Sequence, residues 1–222
     1  MLDFYALPIS NFCAKVEIAL QLKNLSYRTC APPGGYGSER YRQIVPTGTI
    51  PALIDGTLIL SESDAILEYL NEAFPEPDLL NGDAKTRAAQ RQLCRLHDTR
   101  FEPTLRAMFG AMDPNHRNST QLSLQLVEFR RKLAELSSLC SPNPYLGGTS
   151  PGMADCALAP TIWLARRMFA VLGDDVGLSR ELEDWFERIS AHKSVNLVLR
   201  RHDAAITKWL LAKGNKTPAN WP

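Results

Sequence analysis

The stretch VPTGTIPALIDGTLILSESD, residues 45–64, decides the fold of this chain. Two apolar runs, 52–54 and 57–60, flank the pair Asp55-Gly56, and this pattern predicts a β-hairpin with a type I′ turn. The hairpin leads into Ser61-Glu62-Ser63-Asp64, where a hydroxyl at the N-cap position and an acid three residues later predict the start of a helix. Two antiparallel strands are therefore expected to lead directly into a helix.

Towards the N-terminus, short β-like and helical runs alternate. A strand is predicted over residues 2–6, a helix over 13–22 that stops at Asn24 in the left-handed region, and a second strand over 26–30. A weakly patterned helix is predicted over 38–44, just before the hairpin. The order βαβαββα predicts a mixed α/β domain.

Towards the C-terminus the strand patterns disappear. Pro75-Glu76-Pro77-Asp78 ends the helical pattern and opens a polar stretch that we interpret as a linker. Apolar residues at helical spacing then predict helices over 86–112, 120–140, 153–172, 179–192 and 204–211. We therefore predict an α/β domain over 1–76, a linker over 77–84 and an all-helical domain over 85–222.

The overall composition excludes several classes of protein. The chain has 222 residues, 45% of them hydrophobic, which is enough to build a core. Its 25 Lys and Arg balance 24 Asp and Glu, so no net field favours nucleic acid or an anionic membrane. The sequence contains no apolar run of about 18 residues and no secretory pattern at its N-terminus. A small-molecule ligand and a cytoplasmic location are expected.

Cysteine and histidine patterns argue against disulfides and metals. The five cysteines form no C-x-x-C pair, and an odd number does not suit a disulfide framework, so a reducing compartment is expected. The four histidines, at 97, 116, 192 and 202, lack metal-ligand spacing. We interpret them as surface or hydrogen-bonded core residues, and no metal is expected.

Two features of the opening stretch favour a peptide ligand. Ile50-Pro51 lies where an extended segment enters the sheet; a trans bond is the ordinary case, but a cis bond would turn the amide and carbonyl of Ile50 outward. Glu62 and Ser63 lie in the first turn of a predicted helix, where N–H groups attract a carboxylate and Glu62 could accept from an ammonium. The alternative is that both residues only cap the helix.

Ser10 lies at another predicted helix start, in the turn before the helix over 13–22. A hydroxyl and a helix dipole act there in the same direction on an anion, so Ser10 is a candidate donor, and Asn11 is the alternative donor. Ser10 is a poor candidate for a nucleophile, because no Gly-x-Ser-x-Gly elbow surrounds it. Helix capping is the structural alternative, and Cys13 is interpreted as a buried core thiol.

Apolar side chains further along the chain are candidates for a second pocket. Phe101, Leu105 and Phe109 recur at intervals of four, a spacing more typical of a core than of a ligand pocket. Phe101 and Leu105 are nevertheless kept, with Phe12 and Trp163, as candidates for a substrate pocket. Residues 34–37, Gly-Gly-Tyr-Gly, lack phosphate-binding spacings and are interpreted as a mobile loop.

Four segments of the chain stand in an order that is specific for one family. They are SNFCAKVEIAL at 10–20, VPTGTIPAL at 45–53, ESDAILEYL at 62–70, and YLGG at 145–148 followed by MADCALAP at 153–160. The first resembles the start of serine-type classes such as zeta and tau, the second a cis-proline segment, the third a Glu/Gln-Ser-x-Ala-Ile helix and the fourth a second-domain hallmark. Over nearly its whole length the chain thus resembles the cytosolic glutathione transferases.

The resemblance implies a thioredoxin-like first domain, a helical second domain and glutathione as co-substrate. It implies that Ser10 is the activating hydroxyl, that Ile50 contacts the cysteinyl part of glutathione, and that Glu62 and Ser63 hold its γ-glutamyl group. Further contacts with glutathione are implied for Phe12, Thr49 and Pro51. The resemblance also implies a small electrophile bound between the domains, a homodimer and a role in detoxification.

Three positions depart from the family pattern. Thr49 stands where many members have Lys or Gln for the glycine carboxylate, so Arg40 or Arg42 is expected to bind that group. Zeta classes usually show Ser-Ser-Cys where this chain has Ser10-Asn11-Phe12, which argues against isomerase activity of the zeta kind. Gly152 replaces the usual Ser or Thr N-cap, a change worth a few tenths of a kcal/mol.

These observations predict a glutathione transferase in which the thiolate of glutathione attacks an electrophile. Three alternatives stay open: a glutathione-dependent isomerase, a thiol transferase or peroxidase that would use Cys13, and a non-catalytic interaction module with the same fold. The pocket for the electrophile is expected to include variable helix faces and the tail at Trp221.

Overall fold

The computed structural model describes residues 1–216 of the chain, and Trp221 lies outside the described residues. The first part of the chain follows the predicted order βαβαββα. Its elements are β1 (Leu2–Tyr5), α1 (Asn11–Leu22), β2 (Tyr27–Cys30), α2 (Glu39–Arg42), β3 (Ala52–Asp55), β4 (Leu58–Ser61) and α3 (Ser63–Ala73). Asn24 has a φ of 50°, which confirms the predicted left-handed stop after α1.

The strands form one mixed sheet whose pairing brings three loops to the same edge. Its order is β2-β1-β3-β4, with β1 parallel to β2 and antiparallel to β3. Tyr5, at the end of β1, pairs with Ala52 at the start of β3, and Ala52 pairs with Ser61 at the end of β4. The turn after β1, the segment before β3 and the start of α3 therefore lie next to one another.

The hairpin forms as predicted, but the prediction of a type I′ turn was wrong. Asp55 pairs with Leu58, so the two turn residues are Gly56 and Thr57. Gly56 has a φ of 58°, whereas Thr57 is not among the residues with positive φ. A type I′ turn needs positive φ at both central positions, and a β-branched threonine resists it.

The second part of the chain is helical. Its α-helices are α4 (Ala84–Leu96), α5 (Glu102–Ala107), α6 (Ser119–Ser137), α7 (Met153–Leu172), α8 (Arg180–Ala191) and α9 (Lys193–Ala212). The predicted helix over 86–112 is broken by a π-helical turn, His97–Phe101, and ends in a 3₁₀ turn, Gly110–Met112. Pro103 explains the break, because it has no N–H for the carbonyl one turn earlier.

Helix α9 is longer than the predicted helix over 204–211. Its buried stripe contains Val195, Val198, Leu199 and Ile206, but also His202. A polar run at 200–203 concealed this stripe from the sequence pattern. The buried histidine is important for the site described below.

The start of α7 organises the helical part of the chain. Asp155 is buried and accepts four hydrogen bonds, from the backbone N–H groups of Leu146, Gly147 and Gly152 and from the indole of Trp185. Gly152 is the N-cap, and a Cβ there would lie 2.4 Å from Oε1 of Gln90. The departure from Ser or Thr at this position therefore has a steric cause.

Candidate active site

A cavity of about 630 Å³ opens where the three loops meet the helical part of the chain. Its walls come from the turn after β1, the segment before β3, the start of α3 and the facing turns of α4 and α5. It is lined by Leu7, Ile9, Ser10, Asn11, Phe12, Tyr36, Thr49, Ile50, Pro51, Glu62, Ser63, Arg95, Asp98, Thr99, Glu102, Arg106 and Phe109.

Ser10 is the N-cap of α1 and lines this cavity. Its Oγ accepts a hydrogen bond from the backbone N–H of Cys13 at 3.3 Å, which confirms the capping role. The same hydroxyl lies close enough to the Cys13 thiol to offset part of the rise that burial causes in its pKa, and it also lines the cavity, where a ligand can accept its hydrogen instead. Capping and ligand binding are therefore compatible, and the helix dipole adds to the attraction of an anion.

Asn11 lines the cavity beside Ser10 but is only 3% exposed. Its Oδ1 lies 3.0 Å from Nε2 of His202, on α9. The amide nitrogen of the same side chain has no hydrogen-bond partner within the described chain and is accessible to solvent. Asn11 thus has one end against α9 and one end open to the cavity.

Ile50 presents an open peptide edge to the cavity. The Ile50-Pro51 bond is cis, as the resemblance of this segment to the family's cis-proline segment implied, and both residues line the cavity. Within residues 1–216 neither the N–H nor the carbonyl of Ile50 has a hydrogen-bond partner, although the adjacent Thr49 carbonyl accepts from Tyr41. Backbone groups seldom stay unpaired in a half-buried position, so this edge is suited to the backbone of a bound peptide.

Glu62 and Ser63 line the cavity at the start of α3. Glu62 is the N-cap, in place of the predicted Ser61, and it makes no side-chain cap. Its φ of 75° is rare for a residue with a side chain, and such strain often accompanies functional sites. Ser63 is buried, and its Oγ donates to Asp98 at 3.4 Å.

A buried charge network supports Ser63 from below. Lys15, which is 0% exposed, contacts Asp64 at 2.5 Å and Asp98 at 2.9 Å. Asp98 also contacts Nδ1 of His97 at 2.6 Å, and Nε2 of His97 contacts Thr161 at 2.7 Å. The network links α1, α3, the π-helical turn and α7.

The two acids of this network respond differently to burial. Burial acts to raise the pKa of Asp98, but the hydrogen bond to His97 and the charge of Lys15 outweigh it and hold the pKa at about 2. The pKa of Asp64 is raised, because burial dominates and Asp98 adds a like charge. Asp98 is therefore ionised at neutral pH at the wall of the cavity.

The helical wall of the cavity is aromatic and basic. The guanidinium of Arg106 lies 5.8 Å from the ring centre of Phe12 and 5.6 Å from that of Phe109. The buried carboxylate of Glu102 orients it through two hydrogen bonds. This wall is suited to a ligand in which a flat or apolar part lies next to a negatively charged group.

Several predicted pocket residues lie elsewhere. Phe101 and Leu105 are 1% and 0% exposed in the core, and Trp163 donates to Asp203 between α7 and α9, so none of the three lines the cavity. Phe101 and Leu105 lie in the core, as their spacing of four indicated. Arg40 is exposed and is also absent from the cavity wall.

Sequence reasoning missed Tyr36, Arg95, Asp98 and Arg106 in the cavity wall. Tyr36 lies in the loop that was interpreted as mobile, and it is 62% exposed. The other three lie on the helix that was predicted over 86–112. The charged residues around Phe101 could have indicated a cavity wall. The helix is broken at the π-helical turn, however, so the spacing in the sequence does not show which face these residues occupy.

Cys13 is a core thiol, as predicted. It is 2% exposed, and burial raises its pKa to about 11, so it holds almost no thiolate at neutral pH. This disfavours a thiol transferase based on Cys13. Among residues 1–216 no group of His, Cys, Asp and Glu is arranged to hold a metal, and no helix is both long and apolar enough to span a bilayer.

Comparisons with known proteins identify the family. The models "Glutathione S-transferase, N-terminal domain" and "Glutathione S-transferase, C-terminal domain" match residues 4–78 and 89–188. A maleylacetoacetate isomerase from Pseudomonas aeruginosa is 30% identical over 179 residues, which are 77% of this chain and 84% of that protein. A stringent starvation protein A homolog from Pasteurella multocida is 28% identical over 152 residues, 68% of this chain and 69% of the relative.

A solved structure agrees with these sequence relatives. The delta-class glutathione transferase of Nilaparvata lugens superposes with a TM-score of 0.81 at 18% identity, over 96% of this chain and 100% of that one. Such low identity shows the fold alone. The two family models and the Pseudomonas relative, together with this fold and its cavity, show that the chain belongs to the glutathione S-transferase family.

Proposed function

We propose that this protein binds glutathione in the cavity and ionises its thiol for attack on a small electrophile. One observation carries the proposal: the Ser10 hydroxyl, the unpaired peptide edge of Ile50 and the Glu62-Ser63 helix start line the same cavity. A tripeptide has complementary groups in this order. Its thiol faces Ser10, its cysteinyl backbone pairs with Ile50, and its α-amino acid head lies at Glu62 and Ser63.

The remaining contacts of glutathione are assigned by position. Phe12, Thr49 and Pro51 line the cavity and are proposed to contact glutathione. For the glycine carboxylate, Arg40 was the sequence candidate, but it does not line the cavity. Tyr36 does line it, and its hydroxyl is a better-placed donor for this group.

The energy needed to ionise the thiol is within reach of these groups. A free thiol has a pKa of about 8.5, and each unit of depression requires about 1.4 kcal/mol of preference for the anion. A hydroxyl bond to an anion contributes roughly 1.5–3 kcal/mol, and the helix end roughly 0.3–1 kcal/mol. Ser10 and the start of α1 together therefore supply about one to three units.

The electrophile is proposed to bind against Phe12, Phe109 and Arg106, on the helical side of the cavity. A glutathione-dependent isomerase is the second candidate function, because Arg95 and Arg106 offer two cations to substrate carboxylates there. The Pseudomonas relative is named a maleylacetoacetate isomerase, so maleylacetoacetate is the substrate to assay. The Ser10-Asn11-Phe12 segment still argues against the zeta kind of site.

Further properties are proposed from the family and the surface. A homodimer is supported by Leu58 and Ile59, which are 39% and 44% exposed on the edge strand β4. A cytoplasmic location, a detoxification role and the domain boundaries 1–76 and 85–222 accord with the family. The two family matches leave residues 79–88 between them, and this gap overlaps part of the proposed linker at 77–84.

The decisive experiment compares wild type with Ser10→Ala, and uses Ser26→Ala, an exposed serine away from the cavity, as the control. We measure retention on immobilised glutathione and the pH profile of kcat/KM with a halogenated nitroaromatic. Ser10→Ala should still bind, but its profile should shift up by about one pH unit, because one donor to the thiolate is lost. An unchanged rate and profile would remove Ser10 from the mechanism, and retention without turnover by wild type would indicate a binding module.

A further inference from the structure

His202 connects the last described helix to the turn that carries Ser10 and Asn11. It lies on α9 and is 1% exposed. Its Nδ1 is 2.7 Å from the carbonyl oxygen of Pro8, and its Nε2 is 3.0 Å from Oδ1 of Asn11. Both contacts join α9 to residues near the opposite end of the chain, Pro8 and Asn11.

The two ring nitrogens have different chemical freedom. The carbonyl of Pro8 can only accept, so Nδ1 must carry a hydrogen. Nε2 donates to Oδ1 of Asn11 if the ring is an imidazolium, and the 3.0 Å separation of these two atoms is compatible with that bond. If the ring is neutral, Nε2 carries only a lone pair. The side-chain amide of Asn11 must then rotate by about 180° so that its N–H group donates to Nε2.

The orientation of Asn11 decides what a ligand meets. The end of its amide that is not bonded to His202 is the end open to the cavity. With an imidazolium, the cavity receives the N–H end of the amide. With a neutral ring, it receives the carbonyl oxygen.

We propose that His202 is a positioning residue, which sets through Asn11 whether the site offers a hydrogen-bond donor or an acceptor to the glutathione sulfur. A thiolate needs a donor and selects the imidazolium, whereas a thiol, which carries its own hydrogen, matches the oxygen and the neutral ring. The idea rests on the proposed binding of glutathione. It gives Ser10 the constant donor role and Asn11 a switchable one.

Few polar or charged groups surround the imidazole ring of His202 and affect its protonation. Burial lowers the pKa of His202, while the carbonyls of Pro8 and Pro160 and the charge of Asp203 act to raise it. Asp203 is already paired with Arg167 of α7 at 3.0 Å and accepts from Trp163. The ring of His202 is therefore neutral in the ligand-free site at neutral pH. A bound thiolate adds a negative charge, and this charge favours the imidazolium form of His202.

Two matched variants separate the contacts of the ring. His202→Asn keeps a donor where Nδ1 meets Pro8 and removes the group that meets Asn11. His202→Gln keeps an amide where Nε2 meets Asn11 and removes the contact with Pro8. The measurement is the pKa of the thiol of bound glutathione, read from thiolate ultraviolet absorbance, with the melting temperature recorded in parallel.

Asn11→Ala should raise the thiol pKa by about one unit because it removes a donor to the anion, and His202→Asn should raise it similarly because it removes the group that holds this donor towards the sulfur. His202→Gln should leave it near the wild-type value. His202→Asn should add nothing further in the Asn11→Ala background, because the two residues act as one unit. A thiol pKa unchanged in His202→Asn, or equally raised with Asn11 absent, would overturn the proposal.

Wild-type protein provides a test that needs no variant. Nitrogen-15 NMR of labelled histidine reports whether both ring nitrogens of His202 carry hydrogen. They should do so with glutathione above the pH at which its thiol ionises, but not with S-methylglutathione, which cannot ionise. The same ring state with both ligands would overturn the proposal. Failure of wild type to bind glutathione, or to lower its thiol pKa, would instead refute the proposed function.

Discussion

The Nζ of Lys15 on α1 lies 2.9 Å from Oδ2 of Asp98, 83 positions later, directly beneath the cavity. Lys15 is fully buried and shares its charge with Asp64 as well. One cation therefore ties the first part of the chain to the helical part at the point where Ser63 is held. Since Lys15 is removed from water and both acids are only partly exposed, loss of an acid would leave the buried ammonium of Lys15 poorly compensated.

Replacing Lys15 should be strongly destabilising. Lys15→Met removes a fully buried cation and leaves two partly buried carboxylates without it, so the free energy of unfolding should fall by about 3–5 kcal/mol. Urea unfolding followed by circular dichroism measures this loss. Arg131→Met removes an exposed ion pair with Glu128 on α6 and should change little. Equal losses in both variants would contradict the buried role of Lys15.

The network predicts acid sensitivity with a defined sign. Asp98 has a folded-state pKa of about 2, below its ordinary value of 3.8, so its stabilising contribution is complete above pH 4 and is lost as the pH falls towards 2. Asp98→Asn cannot titrate there. Between pH 5 and pH 2.5, wild type should lose about 1–2 kcal/mol more unfolding free energy than this variant. Parallel pH dependences of urea unfolding would show that Asp98 has an ordinary pKa.

Gly152 is predicted to be required for steric reasons. In Gly152→Ala the new Cβ would lie 2.4 Å from Oε1 of Gln90 and 2.8 Å from the carbonyl oxygen of Leu79. Overpacking of this kind costs about 1–3 kcal/mol, and the melting temperature should fall accordingly. Gly110→Ala is the control, because its Cβ meets no atom within 4 Å. A melting temperature that Gly152→Ala leaves unchanged would mean that α7 shifts freely.

Ser63 is predicted to contribute to glutathione affinity without activating the thiol. Ser63→Ala removes a hydroxyl at the start of α3, and the Kd for glutathione should rise about tenfold, as expected for one hydrogen bond to a charged group. The pKa of the bound thiol should stay unchanged, in contrast to Ser10→Ala. Calorimetry measures the affinity, and Ser123→Ala on α6 is the control. A shifted thiol pKa would place the sulfur at the wrong end of the cavity.

The sequence by itself determined the order of elements in the first part of the chain. The two apolar runs around Gly56, the stop at Asn24 and the helix after Glu62 are local signals, which short-range sterics and hydrogen bonding are sufficient to produce. The cavity residues Ser10, Ile50 and Glu62 were found for the same reason, since each stands at an element boundary. Boundaries within the helices were less accurate, because the break at Pro103 and the buried His202 interrupt the apolar pattern.

Only the tertiary structure decided which side chains face the cavity and which face the core. Phe101 and Leu105 have the same character as Phe109, yet α5 ends at Ala107, so the first two lie in the core while Phe109, beyond the helix end, lies at the cavity wall. Likewise, Asn11 meets His202, and Lys15 meets Asp98, across large separations in sequence. Periodicity defines a helix and its apolar stripe, but the partner of each buried polar group depends on how distant helices pack together.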